Sequence, residues 1–390
     1  MGSNQLFRPH LILRATTFVS NPIKFQYLAN ANCLSTLSEC FAEETSAMKM
    51  NSKNGVNMKT LIGASMAVAA LMSGGHALAS DCEKVVIGEM NWASGEFLAR
   101  LDGFILSEGY GCDVEYLTAG TIPAITSMDE KGTPDFASEM WANSLGDLLK
   151  KAADSGRMTK LNPKPFDGAG ESWFVNGNVV DNHPELKTIH DILARPDLFP
   201  HPEDPSKGAL HTCPPGWACQ LSTNNLFRAF DMEAKGWKLV ETGSGAGLDG
   251  SIAKASERGE NWFGYYWAPT TMVGKYDMQP IDWDTPFDQD NWVNCIVKPE
   301  AECLDPQPSS YTVSEVVSLA QNKFIDANPD EATYIEKRVM DLPLIGRYLS
   351  YMDDNQASGE DAAIEFLLNE ESIWTQWVTP EAAERIKDAL

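Results

Sequence analysis

From Lys84 the chain alternates a short β-branched run with a helical-period run, twice in succession. Val85-Val86-Ile87-Gly88 reads as a buried strand. After Trp92 come Phe97, Leu98, Leu101, Phe104, Ile105 and Leu106 at the spacing of one helix face, with Gly109 as the stop. A second strand at Val114–Leu117 and a helix from Thr121 complete a β-α-β-α opening. Such an order commits the chain to an open α/β sheet, in which ligands sit beyond the carboxyl ends of the strands. Residues 135–140 supply a third strand ending at Trp141, and Ser172-Trp173-Phe174-Val175 a further one.

The middle of the chain, rich in Pro, His and Gly up to His211, leads to a helix over 221–230 and a strand over 237–240, which suggests a second lobe. Residues 292–297 read as the strand that returns to the first lobe. The remainder reads as helices over 313–327, 330–340, 342–351, 359–370 and from Thr379. The expected division is lobe one over 80–175 and 294–390, and lobe two over 176–293. With 390 residues, 11 Trp, 16 Phe and 10 Tyr, the chain has ample apolar surface for two cores.

Met58-Lys59-Thr60 opens an uncharged Ala-, Met- and Leu-rich run to Met72, followed by Ala77-Leu78-Ala79. At about a dozen residues the run is shorter than the ~20 a membrane span needs, so 58–79 reads as a cleavable leader rather than an anchor or a buried helix. Residues 1–57 precede a complete leader and read as a misassigned extension. Residues 1–80 carry six basic and three acidic side chains, so the exported part has a net charge of −28 against −25 for the whole. That field repels phosphate backbones and excludes nucleic acid as a partner.

Six of the eight cysteines remain after export: Cys82, Cys112, Cys213, Cys219, Cys295 and Cys303. An even number in an exported chain implies disulfides. Six allow fifteen connectivities, of which sequence neighbours suggest 82–112, 213–219 and 295–303. No CxxC pair exists and His is scarce, which argues against structural zinc. Asp282, Asp284, Asp288 and Asp290 lack the spacing and glycine of a calcium loop and read as a solvated acidic face. Gly243-Ser244-Gly245-Ala246-Gly247 departs from the dinucleotide fingerprint and reads as a strand-to-helix turn. No hydrolase, zinc-protease or P-loop motif is present, so neither a catalytic residue nor a cofactor is assigned.

Cys213-Pro-Pro-Gly-Trp-Ala-Cys219 would be a tight loop if its cysteines are joined, fixing the Trp217 indole and gathering backbone N–H groups into a nest for a carboxylate. Trp237, Trp283, Trp292, Trp374 and Trp377 read as core. Trp92, Trp141, Trp173, Trp217 and Trp267 fall at strand ends or in Gly- and Pro-bounded loops, on the rim where two lobes would face each other. Several indole faces around one cleft suit a quaternary ammonium, whose methyl groups spread its charge and leave no N–H unsatisfied. Four or five such faces could supply roughly 6–10 kcal/mol before desolvation.

These residues carry a resemblance. Cys-x-x-Gly-Trp-x-Cys at 213–219, Tyr265-Tyr266-Trp267-Ala268-Pro269-Thr270, Met140-Trp141 and the Trp-bearing terminal helices resemble the glycine betaine/proline betaine substrate-binding proteins (OpuAC type) of ABC importers, over nearly all of 81–390. The resemblance implies an α/β, bilobal periplasmic-binding-protein fold of the type II, Venus-flytrap kind, its lobes joined by a hinge. It implies a cage of Trp141, Trp217 and Trp267, and a carboxylate-binding turn at Trp217-Ala218-Cys219. Trp92 and Trp173, with Glu171 beside them, resemble positions of the choline- and trimethylamine N-oxide-binding relatives.

One departure is Leu145, which stands where betaine binders of this type place a His. Glu171, if it faces the cleft, would repel a betaine carboxylate. Glycine betaine is the first expectation for the ligand, ahead of choline, trimethylamine N-oxide and dimethylsulfoniopropionate. The implied partners are a permease and ATPase complex at the inner membrane, the implied place is the periplasm, and a monomer is expected. The alternative is a periplasmic enzyme acting on a betaine- or choline-like substrate, with Glu171 or an Asp as base.

Overall fold

The computed structural model describes residues 82–162, 164–166 and 170–390. The expected leader at 58–79 and the extension before it lie outside these residues. Two five-stranded mixed sheets organise the molecule. The first holds β1 (Lys84–Met90), β2 (Asp113–Ala119), β3 (Phe136–Trp141), β4 (Met158–Asn162) and β10 (Val316–Gln321), in the order β2-β1-β3-β10-β4. The second holds β5 (Gly170–Val175), β6 (Gly208–His211), β7 (Trp237–Val240), β8 (Phe263–Ala268) and β9 (Gln279–Pro280), in the order β7-β6-β8-β5-β9. In each sheet three neighbouring strands run parallel, β2-β1-β3 and β7-β6-β8, and the next strand lies antiparallel, β10 beside β3 and β5 beside β8. The chain crosses between the sheets twice, between β4 and β5 and again between β9 and β10.

The opening folds as its pattern requires. β1 buries Val85 and Ile87, and α1 (Ala93–Phe104) buries Phe97, Leu98 and Leu101 against it. Gly109 does not end this helix. The helical path continues through Tyr110 and stops at Gly111, whose φ of 77° is left-handed and costs a glycine little. Gly109 instead lies against Ile386 of the final helix, where an added Cβ would meet a methyl group at 3.0 Å.

Three expectations are corrected. Residues 170–175, expected to close lobe one, belong to the second sheet, where Glu171 pairs with Trp267 and Trp173 with Tyr265. Residues 292–297, expected as the returning strand, instead hold a wide helical turn over Trp292–Ile296. The returning strand is β10, within a span expected to be helical. All six of its residues are buried, so no alternation distinguishes it from a buried helix, and the helix starts only at Asn322. The division into lobes therefore falls between 162 and 170, and between 280 and 316.

Disulfides join Cys82 to Cys112, Cys213 to Cys219 and Cys295 to Cys303, the pairing that sequence neighbours suggest. The first ties the start of β1 to the start of β2, and the second closes the loop carrying Trp217. Beneath β3 lies a buried ion pair, Arg338 Nε to Asp102 Oδ1 at 2.7 Å. Ser138 and Tyr334 each donate to the Asp102 carboxylate at 2.6 Å. No helix among the described residues is long and apolar enough to cross a membrane.

Candidate functional site: an aromatic box between the lobes

The carboxyl ends of β1 and β3 and the loops that follow them face β5, β8 and the Cys213–Cys219 loop across a pocket of about 290 Å³, counting the solvent that it opens onto. Lobe one contributes Trp92, Thr121, Trp141 and Ser144. The second sheet and its loops contribute Glu171, Trp217, Ala218, Cys219, Tyr265 and Trp267. Trp92 sits just ahead of α1 and Trp141 is the last residue of β3, so both indoles project where a strand gives way to a helix. Trp217 stands edge-on to Trp92 at 5.1 Å between ring centroids and to Trp267 at 5.2 Å, forming three walls of a box. Tyr265, two residues before Trp267 on the same face of β8, stacks on it at 6.2 Å.

Hydrogen bonds fix three of the indoles. Trp217 Nε1 donates to Asn91 Oδ1 across the lobes at 2.7 Å. Trp92 Nε1 and Trp141 Nε1 both donate to Glu139 Oε1, at 2.7 and 2.8 Å. Ser94 adds a third donor to the same oxygen at 3.1 Å. Burial pushes the Glu139 carboxyl above the ordinary range, against the pull of these donors and of the Arg338 charge.

Glu171 faces the pocket and is buried. Ser144 Oγ donates to its Oε1 at 2.8 Å, Tyr265 Oη to the same oxygen at 2.8 Å, and Ser314 Oγ to Oε2 at 2.7 Å. These hydroxyls come from lobe one, the second sheet and the second crossover, so the carboxylate is a junction between lobes. Burial raises its pKa, and the bonds from Ser314, Tyr265 and Ser144 offset part of that rise.

Lobe contact extends to the disulfide-closed loop. Ile122 N–H donates to Gly216 O at 3.1 Å and Ala218 N–H to Thr121 Oγ1 at 3.3 Å. A Cβ on Gly120 would lie 2.8 Å from Gly216 O, so only glycine permits this approach. Two N–H groups of the nest expected here are already engaged: the Trp217 N–H bonds Pro214 O within the loop and the Ala218 N–H bonds Thr121 Oγ1. Among the residues lining the pocket there is no Lys, Arg or His.

A larger cleft, of about 1040 Å³ counting the solvent that it opens onto, adjoins the box and shares Trp92 and Trp267 with it. Asp249 lines it, accepting from Tyr266 Oη at 2.7 Å, and burial lifts its carboxyl to about 6.

Trp92, Trp141, Trp217, Trp267, Glu171, Ala218 and Cys219 thus lie together, and Trp173 does not join them. Trp173 is fully buried against Trp283 at 5.0 Å and Phe263 at 5.7 Å. Alternation puts it on the same face of β5 as Glu171. Its register partner is Tyr265 rather than Trp267, one step further from the cleft. Trp237, Trp283, Trp292, Trp374 and Trp377 are buried, as expected of core residues. Ser144, Thr121 and Glu139 carried no motif in the sequence. Tyr265 did, in the Tyr-Tyr-Trp run, without being singled out. The four aspartates at 282–290 are exposed, and two cap their own turns, Asp282 toward Asp284 N and Asp288 toward Asn291 N.

Two α/β lobes meeting on a small aromatic-walled pocket define a bilobal solute-binding protein. Residues 83–369 match the family described as the substrate binding domain of ABC-type glycine betaine transport systems, and the chain belongs to that family. It is therefore a substrate-binding protein of a betaine/choline-type ABC transporter. A trimethylamine N-oxide-binding protein of Pelagibacter ubique is 21% identical over 321 residues, which span 80% of this chain and 96% of that protein. Among solved structures, the fold is similar to the glycine betaine/L-proline-binding protein ProX of Borrelia burgdorferi. The TM-score is 0.62 at 16% identity, covering 78% of this chain and 99% of that one. It is also similar to a choline-binding protein solved with choline, with a TM-score of 0.61 at 16% identity over 78% and 97% of the two chains.

Proposed function

We propose that this protein captures a small trimethylammonium-type solute in the box of Trp92, Trp141, Trp217 and Trp267 and delivers it to the permease and ATPase of an ABC importer at the inner membrane. It acts from the periplasm after cleavage of the leader and returns its solute chemically unchanged. The observation that carries this is the composition of the box, four indoles and a phenol around one buried carboxylate, with no basic side chain in the lining. A cation over an indole gains about 0.5–1 kcal/mol when exposed and ~2 or more when dry. Closure of the lobes supplies the dry case, so binding and closure form one equilibrium.

Within the class, the polar end of the guest meets Glu171. A betaine carboxylate would face that carboxylate with the Trp217 and Ala218 N–H groups already engaged. Glycine betaine, the first expectation from the sequence, therefore ranks behind guests without a carboxylate. Trimethylamine N-oxide leads, since the burial that raises the Glu171 pKa favours a carboxyl proton that its oxygen would accept. The relative of that name supports the choice. Choline is the second reading, favoured by the three hydroxyl donors to Glu171, which pull toward the anion that would accept the choline hydroxyl.

Calorimetric titration across pH separates the two. N-oxide binding through a protonated Glu171 weakens as pH rises through its elevated pKa, whereas choline binding through the anion weakens as pH falls through it. Glu171→Gln should remove either dependence, and an unchanged pH profile in that variant would remove Glu171 from the site. Mass spectrometry of the solute after incubation tests the enzyme alternative, which requires a product.

A further inference from the structure

Glu139 lies outside the pocket lining, yet two walls of the box hang from it. It sits on β3 two residues before Trp141, on the same face, and β3 runs parallel to β1, whose end leads into Trp92. A single oxygen, Oε1, accepts the N–H of Trp92 at 2.7 Å, the N–H of Trp141 at 2.8 Å and the hydroxyl of Ser94 at 3.1 Å. Its other oxygen, Oε2, has no hydrogen-bond partner among the described residues, and the residue is 0% exposed. Burying a carboxylate is costly, and a neutral amide oxygen could accept the same three donors. A carboxyl group at a place where an amide would serve the same donors therefore calls for a role.

We infer that Glu139 is a positioning and specificity-determining residue that orients the Trp92 and Trp141 rings and makes their faces more attractive to a cation. One acceptor shared by two indoles sets both ring planes before a guest arrives, which removes part of the ordering cost of binding. An anion at the N–H edge of an indole also pushes electron density toward the ring faces, where the guest's methyl groups rest, and hydrogen bonds polarise in this way most strongly at low dielectric. The box thereby discriminates a trimethylammonium cation from a neutral group of the same shape.

This inference rests on the proposed trimethylammonium ligand, and the test keeps the two apart. The probes are choline and its uncharged tert-butyl counterpart, 3,3-dimethyl-1-butanol, titrated against wild type and Glu139→Gln, which keeps an acceptor oxygen and removes the charge. Choline should bind about tenfold more weakly to the variant, while the neutral counterpart changes less than twofold. In ¹H–¹⁵N spectra, the indole N–H signals of Trp92 and Trp141 should both move upfield on the same substitution, with or without a guest.

Equal losses for both probes, or no loss for either, would reduce Glu139 to a structural residue and overturn the inference. So would unmoved indole signals. Failure of wild type to bind choline or trimethylamine N-oxide would instead overturn the functional reading and, with it, the claim of charge discrimination. Should Glu139→Gln fail to fold, the wild-type indole N–H signals of Trp92 and Trp141 carry the test: both should lie downfield of the position of a free indole, and ordinary positions would overturn the inference.

Discussion

Replacing Trp217 by Ala separates what the indole does for the guest from what it does for the closed state. Trp217 offers one face to the box, worth about 1–2 kcal/mol to a desolvated cation. Its edge contact with Trp92 at 5.1 Å is worth about 0.5–1.5 kcal/mol, and its bond to Asn91 at 2.7 Å about 1 kcal/mol. Both of these partners lie on lobe one and are lost when the lobes part. The contact with Trp267 at 5.2 Å lies within Trp217's own lobe, persists on opening, and cancels from the binding free energy. The loss in affinity is then about 3–4 kcal/mol, or about two to three orders of magnitude in Kd. Trp217→Phe, which keeps a face and loses the N–H, should cost about 1 kcal/mol, roughly fivefold. Titration calorimetry on variants shown to be folded by circular dichroism reads both values. A Trp217→Ala variant within threefold of wild type would refute the box as the site.

The buried pair beneath β3 predicts a stability effect. Arg338→Met leaves Asp102 buried and uncompensated and should lower the unfolding free energy by about 3–5 kcal/mol, with much of it recovered when Asp102→Asn is added; denaturant titration measures both. His211 predicts a pH effect, since burial holds its pKa down at about 4 against an ordinary 6.5, outweighing the bond to Phe263 O. Between these values the unfolded chain binds the extra proton, so stability falls as pH drops from about 6.5 toward 4, and His211→Asn should flatten that slope in melts run across the range. Replacing both Cys213 and Cys219 by Ser frees the loop that meets Gly120 and Thr121 and should weaken binding more than it lowers the melting temperature. Calorimetry and thermal melts compared side by side check the two effects.

Where the sequence was legible, the reason was local. The β-α-β-α opening announces itself by period, the disulfide loop by two cysteines six positions apart around a Trp, and the box indoles by their place at strand ends. Depth and long-range pairing were not legible. Trp173 has the right face and the wrong depth, because alternation assigns a face of the sheet and says nothing of distance from its edge. β10 was hidden because a strand buried on both faces carries no alternation, and its partners β3 and β4 lie more than 150 residues earlier in the chain. Glu139 gave no signal for a related reason. Its three donors come from itself-distant Trp92 and Ser94 and from nearby Trp141, and only the parallel pairing of β1 with β3 gathers them.

The most direct measurement is calorimetric titration of the purified protein with trimethylamine N-oxide, choline, glycine betaine and dimethylsulfoniopropionate, with tryptophan fluorescence followed in parallel. The account predicts micromolar or tighter binding of a trimethylammonium solute lacking a carboxylate, trimethylamine N-oxide first, together with a change in indole emission as the box closes. Glycine betaine as the tightest ligand would contradict the role given to Glu171. Absence of binding by all four would contradict the aromatic box as a trimethylammonium site.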